Sequence, residues 1–129
     1  MEYRPYEASD LPGVLGLCKD EDWESLPADP ARAHRALTNP GVTSYVAVDD
    51  HAIVGFIYLL SDGEVQAYIA LMAVAAQWRR QGIGTRLIQE AFAVCGAQRL
   101  DLLSAADAFH ERLVHQRWVG FRLHPPFAN

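Results

Sequence analysis

The residues best suited to chemistry lie near position 80, where charged and amide side chains precede two glycines. Arg79, Arg80 and Gln81 stand directly before Gly82-Ile83-Gly84, and an apolar run with helical spacing follows. The first turn of a helix leaves backbone N–H groups unpaired, and the helix dipole adds positive potential there. Glycine has no Cβ, so an anion can approach such amides closely. Arg79 and Arg80 are expected to add positive charge and hydrogen-bond donors just upstream. The pattern predicts a pyrophosphate cradle, although an ordinary tight strand-to-helix connection can contain the same glycines.

Two common phosphate-binding motifs do not fit this turn. The Walker motif has a lysine directly after its last glycine, whereas Thr85 follows Gly84 here. The dinucleotide fingerprint requires a third glycine at position 87, which is Leu87. The turn therefore belongs to neither a P-loop protein nor a dinucleotide-binding Rossmann domain.

The elements that must position the turn follow from hydrophobic periodicity. A strand over 65–74 precedes it, and a helix with one apolar face follows Gly82 and ends near Gly96. The other elements expected are strands at 3–6, 43–48, 52–60, 99–103 and 117–123, and helices at 10–19, 30–37 and 106–114. The order β-α-α-β-β-β-α-β-α-β predicts an α/β fold with a mixed sheet, because one helix joins two strands expected to be parallel.

Composition narrows the class of protein. The 129 residues suit a single domain over 1–129, and 11 Lys+Arg against 16 Asp+Glu give a formal charge of −5. That balance argues against a nucleic-acid or membrane partner and leaves open a cationic one. Cys18 and Cys95 lack a metal-binding spacing, so no metal is expected and a reduced, cytoplasmic setting is favoured. We see neither a signal peptide nor an apolar run of roughly 20 residues.

The segment from Val74 to Leu87 resembles the acetyl-CoA signature of the GNAT superfamily of N-acetyltransferases. Arg79-x-x-Gly82-x-Gly84 matches the family pattern Arg/Gln-x-x-Gly-x-Gly/Ala at every defined position. Met72-Ala73-Val74 stands for the preceding Leu-x-Val, Trp78 stands for the usual aromatic residue, and Ala76 replaces the usual proline. Chain length and element order also agree, so the resemblance implies a GNAT-like fold along nearly the whole chain.

The resemblance implies an acetyl-CoA site and a reaction. The pyrophosphate is expected on the backbone amides of Arg79, Arg80, Gln81, Gly82, Ile83, Gly84 and Thr85. The pantetheine arm is expected to pair with the strand backbone at Met72, Ala73 and Val74, where the Met72 amide polarises the thioester carbonyl. The implied reaction is direct transfer of the acetyl group to an amine of a small molecule or peptide. A longer acyl-CoA remains an alternative co-substrate.

Such a transfer needs a base for the amine and an acid for the departing sulfur. The family's usual tyrosine acid aligns with His110 in Phe109-His110-Glu111-Arg112-Leu113, although a second alignment frame places Gln116 there. Glu64 is the candidate base, because in a regular strand it shares a face with Tyr68 and Met72. Tyr68 is a candidate for a direct role or for the wall of the acceptor cleft. The missing tyrosine also permits an alternative function, a catalytically inert acyl-CoA-binding or regulatory module.

The resemblance implies that the acidic segment 20–24 borders the acceptor site, because it lies where the family's two early helices flank that site. Its carboxylates, including Glu24, can attract an ammonium group, and Trp23 offers a cation-π face. An equally simple interpretation is a solvated charged loop. A homodimer contact is a further expectation, because Trp118 and Phe121 lie in the predicted final strand.

Overall fold

A computed structural model describes residues 1–104 and 112–128 of the chain. Its centre is a five-stranded sheet in the order β1-β2-β3-β4-β5. The strands are β1 (Glu2–Pro5), β2 (Val42–Asp49), β3 (Ala52–Ser61), β4 (Gln66–Val74) and β5 (Arg99–Asp101). The helices are α1 (Leu11–Asp20), α2 (Pro30–Thr38) and α3 (Ile83–Cys95). The predicted mixed α/β fold is confirmed, and the predicted bounds up to residue 96 agree with these elements to within about two residues.

The sheet is antiparallel from β1 to β4 and parallel between β4 and β5. Asp50 and His51 connect β2 to β3, and both have positive φ, as a two-residue hairpin turn requires. Helix α3 carries the chain from β4 back to the start of β5, which is the connection that parallel strands need.

The helices cover both faces of the sheet. Helices α1 and α2 pack on one face over a first core, and α3 packs on the other face over a second core. The largest fully buried side chains are those of Val14, Cys18, Val46, Phe56, Ile57, Leu59 and Leu87. Burial in the first core raises the pKa of the Cys18 thiol to about 11, so this cysteine is an unreactive core residue. No helix among the described residues is long and apolar enough to cross a membrane.

A buried ion pair joins β1 to the start of α1. The guanidinium of Arg4 donates to both carboxylate oxygens of Asp10 over 2.7 and 2.8 Å, and Asp10 is only 4% exposed. The Glu7 amide donates to the same carboxylate. The hydrogen bond from Arg4 lowers the pKa of Asp10 despite burial, so this carboxylate stays ionised. Asp10 directly precedes α1, at the N-cap position. Its side chain bonds to Arg4 of β1 and does not cap the helix.

A β-bulge interrupts β4 next to β3. Tyr58 opposes Leu71 and Leu59 opposes Ile69, so Ala70 is an extra residue between the two pairs. Because one inserted residue reverses the alternation of side chains, Met72 packs towards the second core while Tyr68 lies on the opposite face. The expectation that Glu64, Tyr68 and Met72 share one face is therefore wrong.

The last two predicted elements have a different outcome. The predicted helix over 106–114 falls mostly on residues 105–111, which lie outside the described part of the chain together with His110. Residues 117–123, expected as the final strand, form no strand in the structure, and Trp118 and Phe121 are 74% and 78% exposed. A strand needs a hydrogen-bonding neighbour, and no described strand pairs with this segment. The alternation of hydrophobic residues in 117–123 indicates that the segment is suited to a sheet, but it does not show whether another strand lies beside it.

Candidate functional site

Strands β4 and β5 separate after a short paired stretch. Gln66, Ala67 and Tyr68 of β4 pair with Arg99, Leu100 and Asp101 of β5, and the ladder ends there. From Ile69 to Val74, β4 keeps its pairing with β3 but has no partner among the described residues on its other side. One edge of β4 can therefore hydrogen-bond an extended ligand.

The backbone alternation shows which groups lie on this open edge. The amide of Ala75 donates to the carbonyl of Val54 in β3 over 2.8 Å, so residue 75 is directed towards β3. Successive residues of a strand direct their N–H and C=O groups to alternate sides, which places those of Val74 and Met72 on the open side. The Val74 carbonyl accepts a hydrogen bond from the side chain of Arg79 over 3.0 Å, as this orientation requires.

The glycine turn connects this open edge to α3. A 3₁₀ turn over Ala76–Trp78 ends β4, and Arg80 and Gly82 then adopt left-handed conformations with φ of 64° and 82°. The first hydrogen bond of α3 runs from the Arg86 amide to the Gly82 carbonyl. The amides of residues 83–85 precede that bond and point out of the helix N-terminus. They form a concave set of donors suited to an anion.

Gly82 is required for its conformation. A Cβ at this position would meet no atom within 4 Å, but φ of 82° is strained for any residue with a side chain. Ile83 and Leu87 anchor the helix start in the second core, with exposures of 4% and 0%. The start of α3 is thus anchored in the second core, while the space around Gly82 is open. A bulky anion can therefore reach the amides.

The structure places the side chain of Arg79 away from this cradle. Its Nε donates to the Val74 carbonyl, and its Nη2 forms a close ion pair with the Glu21 carboxylate. The expectation that Arg79 adds a free guanidinium to the anion site is therefore wrong for this conformation. Arg80 and Gln81 are exposed at the turn itself.

The acidic segment 20–24 lies beside the end of β4. Asp20 and Glu21 border a cavity of about 250 Å³, and its other lining residues are Leu17, Val74, Ala75, Ala76, Gln77 and Arg79. The Trp23 amide donates to the Cys18 carbonyl, and the Trp23 ring packs partly buried on the first core. Glu24 is exposed. The sequence predicted this segment for the acceptor side but gave no reason to select Glu21.

Glu64 and Tyr68 belong to the other end of β4. Glu64 is exposed in the turn before the strand, where its amide donates to Asp62. Met72 lies six residues along β4 from its first residue, Gln66, which amounts to roughly 20 Å at the usual rise, and Glu64 precedes Gln66. A base at that distance cannot reach an amine near Met72, so the expected role of Glu64 is inconsistent with its position. Tyr68 borders a separate open cavity of about 560 Å³ with Asn39, Leu60 and Ser61.

Tyr58 is a residue that sequence reasoning missed. It lies on β3 beside the bulge, opposite Leu71, and its ring is partly buried against the first core. Its hydroxyl makes no hydrogen bond with a residue in 1–104 or 112–128. Burial, with a smaller contribution from Cys18, raises the pKa of the phenol above its usual value, so it stays protonated at neutral pH. Alternation in β3 could have placed Tyr58 on the face that α1 and α2 cover, but only the pairing with β4 shows that it lies opposite Leu71.

Comparison with known proteins gives one family and one fold. A family model described as the acetyltransferase (GNAT) family matches residues 8–121. No curated protein matches the chain by sequence.

Solved structures resemble the chain over nearly its whole length. Aminoglycoside antibiotic 6'-N-acetyltransferase AAC(6')-IG from Acinetobacter haemolyticus has a TM-score of 0.76 at 20% identity, covering 96% of this chain and 99% of its own. A transcriptional regulator from Bacillus halodurans C-125 has a TM-score of 0.79 at 21% identity, covering 95% and 98%. Aminoglycoside N-acetyltransferase AAC(6')-Iy in complex with CoA has a TM-score of 0.71 at 15% identity, covering 95% and 99%. At these identities the likeness establishes the fold.

Proposed function

The chain belongs to the acetyltransferase (GNAT) family, and from this premise we propose that it transfers the acetyl group of acetyl-CoA to a primary amine. The proposal rests on one observation, which is that the open edge of β4 and the unpaired amides of α3 adjoin each other. The open edge of β4 at Met72 and Val74 leads directly into the unpaired amides at the start of α3. An extended amide-containing arm that ends in a pyrophosphate matches this order of donors and acceptors.

The residues of the site fit the parts of acetyl-CoA. The amides around Gly82 to Thr85 are the pyrophosphate donors, with Arg80 as an exposed cation beside them. The backbone at Met72 and the amide of Val74 are free for the pantetheine arm, whereas the N–H and C=O groups of Ala73 are directed towards β3, contrary to the expectation that Ala73 pairs with the arm. Bound there, acetyl-CoA supplies a thioester carbonyl and a thiol leaving group. The Met72 amide then acts as a fixed donor towards the carbonyl oxygen, where negative charge develops.

The acceptor side is proposed at segment 20–24 with Trp23 and Glu24. Two of the structural neighbours are named as aminoglycoside N-acetyltransferases, and aminoglycosides are polycationic amines. Exposed carboxylates beside the end of β4 would favour such a cation. The aminoglycosides are therefore the first acceptors to test, followed by smaller amines and by peptides with a free N-terminus or lysine.

His110 remains our candidate for the acid that protonates the sulfur, on the sequence alignment alone. Tyr58 is a second candidate from the structure, because its phenol has no partner among the described residues and lies on β3 opposite Leu71, one strand away from the open edge of β4. A histidine acid titrates near neutral pH and a phenol does not, so a pH profile of kcat distinguishes the two.

Two measurements test the proposed function. Calorimetric titration of the purified protein with CoA and acetyl-CoA reports binding, and an amine library assayed by thiol release reports transfer. Binding of acetyl-CoA with release of CoA thiol in the presence of an amine is the expected result. Tight binding without turnover on any amine would identify the inert acyl-CoA-binding module instead. An acyl-chain series on the same assay shows whether acetyl is preferred.

The homodimer remains a prediction. Trp118, Val119, Phe121 and Leu123 form an exposed apolar run in the described C-terminal segment, which exceeds what isolated surface hydrophobes contribute. Light scattering of the wild type and of Phe121→Ser measures whether this run joins two copies.

A further inference from the structure

Arg79 bridges two parts of the molecule that are far apart in sequence. Its Nε donates to the carbonyl of Val74, the last residue of β4, over 3.0 Å. Its Nη2 pairs with the carboxylate of Glu21, the residue that follows α1. One planar guanidinium thus connects the end of the open strand to the start of segment 20–24.

We propose that Arg79 is a positioning residue for the acceptor side of the site, and that its guanidinium does not bind the pyrophosphate. The proposal rests on the proposed function, because it assumes that the acceptor approaches along segment 20–24. In this proposal, Arg79 of the glycine signature orients segment 20–24. The anion site then consists of backbone amides with Arg80.

The contacts of Arg79 favour a fixed orientation. Two different N–H groups of a rigid fork reach two acceptors on separate elements, which restricts the plane of the guanidinium. The carbonyl of Val74 belongs to the strand, so the fork is anchored to the sheet and Glu21 is placed relative to it. The side chain of Arg79 also lines the cavity of about 250 Å³ with Asp20 and Glu21. Removing the fork would leave segment 20–24 without this connection to β4.

The backbone separates Arg79 from the cradle. Arg79 is extended, with φ of −71° and ψ of 160°, and the chain then changes direction through the left-handed Arg80. To reach an anion at the amides of 83–85, the guanidinium would have to give up both Val74 and Glu21. The bond to Val74 has a second consequence: one of the two lone pairs of the Val74 carbonyl is already used, so the amide is the fully unoccupied group that Val74 offers to a ligand on the open edge.

A double-mutant cycle tests the proposal. The variants are Arg79→Met, Glu21→Gln, the double variant and Arg79→Lys, with Arg99→Met as the control. Arg99 is also an exposed arginine bonded to a neighbouring side chain, Gln66, but it lies at the other end of β4. For each variant, calorimetry gives the dissociation constants of CoA and of pantetheine, which lacks the pyrophosphate. Amide hydrogen exchange is followed at Asp22 and Trp23, and KM is measured for an amine that the library identifies.

We expect the two single variants to raise the acceptor KM about two- to fivefold, the range that an exposed ion pair supplies. The double variant should be no worse than either single one, because all three lose the same contact. Exchange at Asp22 and Trp23, whose amides bond to the end of α1, should accelerate in all three. The dissociation constant of CoA should stay within about twofold of the wild type. Arg79→Lys should behave like Arg79→Met, because an ammonium cannot reproduce the fork.

A different pattern overturns the proposal. Arg79→Met could weaken the binding of CoA tenfold or more without changing the binding of pantetheine, and Arg79→Lys could restore the binding of CoA. In that case the positive charge of the Arg79 side chain binds the pyrophosphate. Additive effects of Arg79→Met and Glu21→Gln on KM, or unchanged hydrogen exchange, would also contradict a shared positioning role. If the wild type acetylates no amine, the proposed function fails, while the CoA, pantetheine and exchange measurements still decide the role of Arg79.

Discussion

The two ends of strand β4 differ in what their backbone is bonded to. At the amino end, residues 66–68 pair with β5, and Ala67 and Tyr68 also pair with β3, so both edges of the strand are occupied. At the carboxyl end, residues 72–74 pair with β3 and with no other strand in the part of the chain that the structure describes, and the chain continues into the glycine turn. The amino end is therefore closed by the sheet itself, whereas the carboxyl end offers hydrogen-bonding groups to a ligand. In the proposed function, acetyl-CoA binds at the carboxyl end through this unpaired backbone.

The largest effect is expected from blocking the carboxyl end. Gly84→Glu puts a side chain and a negative charge beside the unpaired amides, and should weaken binding of acetyl-CoA at least 100-fold. Calorimetric titration measures this. Gly16→Glu is the matched control, because Gly16 is also a helical glycine and a Cβ added there would meet no atom within 4 Å. That variant should bind acetyl-CoA as the wild type does.

Gly84 is buried, so a folding defect must be separated from loss of binding. Thr85→Glu makes that separation. An acidic residue in the first turn of a helix stabilises the helix, yet it repels an anion at the same amides. Thr85→Glu should therefore keep or raise the melting temperature of the protein while it weakens the binding of acetyl-CoA. Retained affinity in both folded variants would remove the anion site from this turn.

The second effect concerns the acid that the open end needs. His110→Ala should lower kcat by up to about 100-fold, the usual range for a general acid, and leave acetyl-CoA affinity nearly unchanged. His110→Tyr restores the family's usual residue, so it should recover part of the rate. It should also remove a descending limb of the pH profile near neutrality, because a phenol stays protonated to about pH 10. An unchanged kcat in His110→Ala would transfer the role to Tyr58 or to water.

The contrast between the two ends also explains what the sequence could predict. The turn at 79–85 was identifiable because a glycine needing positive φ and an apolar helix face leave direct marks in residue types. Strands β2 and β3 were identifiable for similar local reasons, because both are rich in β-branched and aromatic residues. The bulge at Ala70 was not, since an extra strand residue depends on pairing with β3 and has no signature in alternation. That one residue reversed the face of Tyr68 and so removed the argument that linked it to Met72.

Contacts between segments that are distant in the chain could not be predicted from the sequence either. The ion pair of Arg79 with Glu21 joins residues 58 positions apart, and nothing local to either residue selects the partner. The strand predicted at 117–123 failed for a related reason, because its residue types favour a sheet but its neighbour has to be supplied by tertiary structure. Local preferences thus determined the elements, while the bonds between elements decided which residues reach the open end.

A smaller effect is expected from the acidic segment beside the open end. Neutralising Asp20, Asp22 and Glu24 together, with Glu21 kept for Arg79, should raise the acceptor KM about two- to fivefold, because each exposed carboxylate contributes little alone. The increase should be larger at low salt, where exposed charges act over a longer distance. The KM of acetyl-CoA should hardly change. An equal change in both KM values, or in neither, would identify 20–24 as a solvated loop.

The smallest effect is expected at the closed end, and it is the most direct test of the comparison. Glu64 lies in the turn before β4, exposed, with its backbone amide held by Asp62. The stretch of β4 from Gln66 to Met72 is roughly 20 Å long, so Glu64 lies beyond the reach of a hydrogen bond or of one bridging water from Met72. Glu64→Gln should therefore change kcat less than about twofold and leave the pH profile in place, as a surface substitution away from the chemistry does. A tenfold fall in kcat together with the loss of the ascending limb would assign the base to Glu64. The reacting atoms would then have to lie at the amino end of β4, where the sheet leaves no backbone groups free, and the separation of β4 from β5 would no longer locate the site.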